Sequence, residues 1–176
     1  MWQKLRKSYP PQLELIALFM LIFTVYWVIA NYAFLSETIP THFNFQGIPD
    51  KWGNKNEILV FPIMGVFLYI VLTTLNIILA VAKDFRKYIN LPLKRKRKAV
   101  LSDAKVEELR IFLNRSLFAL KVVTQGLVAY LLFMSIEVAQ GKVADLGQWW
   151  LMFLLVILMI IGYLLWKSYR LTAGPG

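Results

Sequence analysis

Three stretches of this chain are as long as a lipid bilayer is thick and carry no charge. Leu15–Phe34 holds 20 residues, Ile58–Ala82 holds 25 and Leu146–Trp166 holds 21, with no Asp, Glu, Lys or Arg in any of them. Twenty helical residues rise about 30 Å, the depth of a hydrocarbon core. A fourth run, Val122–Ile136, is 15 residues long, and Ser116–Leu120 extends it backwards across Lys121. A lysine near the end of a span can lift its ammonium to the interface, so the run reads as a span over Leu117–Ile136. Inside lipid the backbone must satisfy its own hydrogen bonds, and four continuous apolar runs do so as helices. The predicted fold is therefore an all-α integral membrane protein of four transmembrane helices. They lie at about 13–35, 58–82, 117–137 and 146–166, in a single membrane domain over 1–176.

Charge orients the bundle. The 176 residues carry 20 Lys plus Arg against 10 Asp plus Glu. Seventeen of the basic residues fall in Met1–Glu14, Lys83–Arg115, the C-terminal tail and Lys121; three fall in the two other connections. The positive-inside rule predicts both termini in the cytoplasm, with Ser36–Glu57 and Glu137–Gln148 outside. The first run is too long for the core of a cleavable signal. Lys94, Arg95, Lys96, Arg97 and Lys98 form a basic cytoplasmic loop suited to anionic lipid heads. No aromatic interleaving or recognised module points to nucleic acid. After it, Ser102 and Asp103 open a helix whose Val106, Leu109, Leu113 and Leu117 form one stripe, for packing on the chain's own helices, lipid or a partner.

The polar residues within the spans include Asn31, Thr73, Thr74, Asn76, Thr124 and Gln125. Interhelical hydrogen bonding is their expected use. Asn76, six residues before Ala82, and Gln125, eight after Leu117, are expected at one depth and bonded to each other.

The first outer loop is long for a helix connection. Pro40, Gly47, Pro49 and Gly53 mark defined turns in it, and His42, Asn44, Asp50 and Trp52 form a polar and aromatic group. The expectation is an ordered cap over the helix ends, burying Phe43, Phe45, Ile48 and Trp52, with Glu137 contributing from the second outer loop. Two uses remain open for the polar residues: bonding the turn itself, or contacting a ligand. Asn54 with Glu57 resembles a capping box for the second helix.

Here the sequence meets a family. Pro40, His42-Phe43-Asn44, Gly47, Pro49-Asp50, Trp52-Gly53 and Lys55, with Pro62 following, resemble the bacterial membrane domain of unknown function at the N-terminus of SdpI-type immunity proteins. The resemblance covers 13–82. It implies a multi-pass protein of the bacterial cytoplasmic (inner) membrane without a known catalytic role and, in the SdpI branch, protection against a secreted peptide toxin.

With no cysteine and one histidine, thiolate chemistry and multi-histidine metal centres are excluded. No HExxH, GxSxG, P-loop or GxGxxG occurs, and no cofactor is called for. A metal site would have to combine His42, Asp50 and one of Glu37, Glu57 or Glu137. The reading is a non-catalytic immunity, signalling or peptide-binding protein acting through its first outer loop, with a peptide or protein partner there. A small transport or channel subunit is the alternative, and a membrane enzyme with a loop metal site stands third. A homo-oligomer is compatible with all three.

Overall fold

A computed structural model describes residues 9, 12, 14–82, 85–88 and 102–173. The basic run Lys94–Lys98 and both chain ends lie outside the described residues. Four helices follow one another: α1 (Glu14–Asn31), α2 (Val60–Val81), α3 (Asp103–Ala139) and α4 (Trp149–Ala173). All four are long and apolar enough to cross a membrane. Between α1 and α2 the chain forms an antiparallel hairpin, β1 (Thr38–Phe43) and β2 (Pro49–Asn54). The helical class holds, with this one small sheet added to it.

α3 is the central helix, packing against α1, α2 and α4. Its 37 residues rise roughly 55 Å, well beyond one bilayer core. The excess lies at the end where the apolar stripe sits. There Val106 and Leu109 are buried with Phe85 against Leu79, Phe112, Leu113 and Leu171, so the stripe packs on the chain's own elements. Ser102 caps α3, its hydroxyl accepting the Lys105 N–H at 3.4 Å. At the same end Arg110, 7% exposed, donates to the Ala80 and Ala82 carbonyls at 3.3 and 2.9 Å. It satisfies the acceptors that the end of α2 leaves open.

α2 starts through a 3-10 turn, Lys55–Leu59, capped by the Asn54 side chain, which accepts the Asn56 N–H at 2.9 Å. Pro62 falls in the first turn of α2, where proline is tolerated. α4 leans on α3, and the rest of its surface is apolar and exposed, as a lipid-facing helix requires.

The hairpin is seated by Ile39. This residue is 1% exposed and packs with Val28, Leu35, Ile58, Leu132 and Ile136, from α1 and the turn after it, α2's approach and α3. A two-stranded sheet is marginal alone, so burial of Ile39 and Pro40 is what holds it to the helix ends. The aromatic burial expected from sequence is not seen. Phe45, Ile48 and Trp52 are 74, 50 and 56% exposed, the first two on the turn between the strands, while Phe43 is half-buried.

Lys121 does not reach solvent. It is fully buried, and its ammonium donates to Glu14 Oε1 and Oε2 at 2.6 and 2.7 Å, Tyr9 Oη at 2.9 Å and Thr73 Oγ1 at 3.0 Å. A carboxylate and two hydroxyls from other segments supply inside the bundle what snorkelling would seek in water.

Asn76 and Gln125 both face protein, but they do not meet. The Asn76 side chain donates to the Asn114 carbonyl at 2.9 Å, and Gln125 to the Gly65 carbonyl at 2.8 Å. Gly65 stands eleven residues, roughly 16 Å, from Asn76 along α2. The expected pairing placed Ala82 opposite Leu117, whereas Ala82 faces Arg110 because α3 begins earlier. Thr24 and Thr124 bond the Met20 and Leu120 carbonyls of their own helices at 2.8 and 2.9 Å.

Candidate functional site

The hairpin's geometry follows from three residues. Asn44 makes the turn: its side-chain oxygen accepts the Gln46 and Ile48 N–H groups, each at 3.0 Å, and its carbonyl accepts the Gly47 N–H at 2.9 Å. Gly47 has φ +80, a left-handed conformation that glycine adopts without strain. Register is irregular between Pro40 and His42 and between His42 and Phe43, which turns His42 towards Asp50 across the strands. Asn44, a contact residue in one of the two sequence readings, is thus engaged in the turn.

His42 Nδ1 lies 2.5 Å from Asp50 Oδ1, and the two side chains are 65 and 44% exposed. Trp52 pairs in register with Pro40. The hairpin therefore exposes an imidazole and a carboxylate in contact, along with the apolar side chains of Trp52, Phe45 and Ile48. Glu137 stands apart from this group, paired to Lys142 at 3.0 Å.

The tip is pinned to the α3–α4 connection. The Leu146 N–H donates to the Gly47 carbonyl at 2.9 Å, and Tyr130 Oη donates to the Leu146 carbonyl at 2.5 Å. Phe45 meets Trp150 edge-on at 5.6 Å. A Cβ on Gly47 would come within 3.3 Å of the Gly147 carbonyl oxygen, so the close approach as well as the turn requires glycine. At Gly53 a Cβ would fall 2.2 Å from Glu57 Oε1, the end of a side chain able to move aside. Pro49 pairs with Phe43 at the tip end of the sheet.

Beneath β1 lies a cavity of about 290 Å³ bounded by Thr41, Phe43, Glu57, Phe61 and Ser135. At the opposite end of the bundle, the Lys121 cluster is wrapped by aromatic rings. The ammonium stands 5.1, 5.4 and 5.6 Å from the centroids of Tyr9, Tyr69 and Phe118. Among the described residues no three His, Asp or Glu gather as metal ligands would, so His42, Asp50 and a third carboxylate do not converge.

Sequence reasoning missed Tyr9, Glu14, Arg110, Asn114 and Ser135. Four of the buried polar residues carried a signal: Arg110, Asn114, Lys121 and Gln125 recur at intervals of 4, 7 and 4, one face of a helix. Glu14 carried none beyond its position at the start of the first apolar run.

The arrangement defines a multi-span membrane-type helical protein with a hairpin sealing one end. Residues 18–66, which hold most of α1, the whole hairpin and the start of α2, match a family model described as domain of unknown function DUF1648. The chain is also 33% identical over 63 residues to an uncharacterized protein of Archaeoglobus fulgidus. That similarity covers 35% of this chain and 34% of the relative, so the chain spans about a third of that protein's length. No solved structure matches.

Proposed function

We propose that this chain is a non-catalytic recognition protein of the bacterial cytoplasmic membrane, with the hairpin as its contact surface and both termini in the cytoplasm. The observation that carries this reading is the exposed His42–Asp50 pair on a hairpin pinned at both its base and its tip. A rigid platform presenting a polar pair beside Trp52 recognises a partner with little ordering cost on its own side. The resemblance to SdpI-type proteins makes a secreted peptide toxin the favoured partner, and the basic run Lys94–Lys98 holds the other face to anionic lipid.

The test is protection. A toxin-sensitive bacterial host expressing the wild-type chain should grow under a secreted peptide toxin, and purified chain should bind that peptide saturably. His42→Ala and Asp50→Ala should lose both properties at unchanged thermal stability. Loss of folding together with function would make the pair a structural turn, and full function in both variants would reject the hairpin as the contact surface.

Transport is the second reading, favoured by the buried polar line Asn114, Lys121, Gln125 and Ser135 along α3. Ion or solute flux in liposomes that vanishes in Lys121→Met would support it.

A further inference from the structure

The carboxylates at the hairpin end are nearly all engaged. Glu37 pairs with Lys55 at 2.7 Å, Asp50 with His42 at 2.5 Å and Glu137 with Lys142 at 3.0 Å. Asp145 accepts the Gly147 N–H at 2.7 Å. Glu57 is the exception: its carboxylate has no hydrogen bond or ion pair among the described residues. It borders the cavity under β1, held against the bare α-carbon of Gly53.

A second polar group opens into the same space. Ser135 is 3% exposed, lines the cavity, and its hydroxyl has no partner among the described residues. Its oxygen is open to the cavity, where it can donate or accept a hydrogen bond. Apart from Thr41, the remaining wall is apolar and aromatic, with Ile39, Phe43, Ile58 and Phe61. Apolar walls with a few placed polar groups are the usual makeup of a small-ligand site.

We propose that this cavity binds a small amphiphilic ammonium ion, its charged head on Glu57, its apolar body between Phe43 and Phe61, and Ser135 at the base. Volume sets the size: about 290 Å³ takes a ligand the size of a phenylalkylamine, not a lipid. Charge sets the sign, since the free group is an anion. The inference deepens the recognition role of the hairpin end and rests on it. Two sources share the chemistry, a free amine and the N-terminus of a peptide with an apolar first residue.

The experiment uses the full chain in lipid nanodiscs, with empty nanodiscs subtracting partition into lipid. Calorimetric titration compares 2-phenylethylamine with 2-phenylethanol, which keeps the ring and loses the charge. The amine should bind about tenfold tighter, as a charge-assisted bond implies. Glu57→Gln should lower the amine to the affinity of the alcohol. Ser135→Leu should fill the base and abolish both, and Gly53→Ala, which moves the Glu57 carboxylate, should lower the amine alone.

Thermal melts check that each variant folds, and Glu57→Gln, at an exposed position, keeps the test decisive if Ser135→Leu does not fold. Phenylalanylglycine amide, with and without an N-acetyl group, separates the sources. Binding of the free peptide assigns the ammonium to a peptide terminus, and its rejection assigns it to free amines. Equal affinity for amine and alcohol, an unchanged Glu57→Gln, or no saturable amine binding would overturn the proposal. Toxin protection that still depends on His42 and Asp50 in that event would leave the hairpin reading standing, whereas amine binding without such protection would leave only the cavity.

Discussion

At the scale of residues, Lys121 decides how the interior must be read. Its contacts come from three segments: Tyr9 and Glu14 at the start of the chain, Thr73 on α2, and its own helix. Thr73 also donates to Glu14 Oε1 at 3.1 Å, so the carboxylate accepts from two sides. Removing one member of a buried pair leaves the other charge uncompensated, at a cost of about 3–5 kcal/mol. Lys121→Met should therefore unfold at markedly lower temperature in detergent, and Lys121→Met combined with Glu14→Leu should recover most of the loss. A double variant no better than the single one would mean that packing around Tyr9 and Phe118, not charge, is the main contribution. The pair was only half legible in the sequence. Lys121 announces itself inside an apolar run, but Glu14 looks like part of a solvated flank until α1 and α3 lie side by side.

At the scale of elements, the spans were legible and the hairpin was not. Lipid permits little besides helices, so length and absence of charge suffice for α1, α2, α4 and the membrane part of α3. The strands have no such constraint. Thr38–Phe43 and Pro49–Asn54 lack alternating polarity, and prolines at 40 and 49 argue against a central strand. What makes them pair is the seat for Ile39 and the turn at Asn44–Gly47, and a tertiary seat leaves no local pattern. The same turn carries a prediction. Gly47→Ala places a side chain at φ +80 and within 3.3 Å of the Gly147 carbonyl oxygen. It should cost about 1 kcal/mol or more. Hydrogen exchange should then rise at Gly47 and Leu146 first, while α2 and α3 keep their protection. Uniform loss of protection would show that the tip contact holds the whole bundle, not just the cap.

For the whole molecule, the arrangement of contacts along α2 and α3 makes them antiparallel neighbours. Arg110 meets Ala80, Asn114 meets Asn76, Lys121 meets Thr73 and Gln125 meets Gly65. With four spans in sequence, the start of α1 and the end of α4 share one end, and the hairpin shares the other with the α3–α4 connection. Charge asymmetry predicts which end is which. With no native cysteine, single cysteines at Gln46 and Gln140 should react with an impermeant reagent on spheroplasts. Reaction only after lysis would reverse the orientation.

The pair formed by Glu14 and Lys121 also has a history in time. The two residues are 107 positions apart. At ribosomal speeds of roughly 5–20 residues per second, the carboxylate is made about 5–20 s before its ammonium. Through that interval the Glu14 carboxylate is without Lys121, and synthesis of α3 ends the wait. A chain stalled before Lys121 should therefore be the form that quality-control proteases remove.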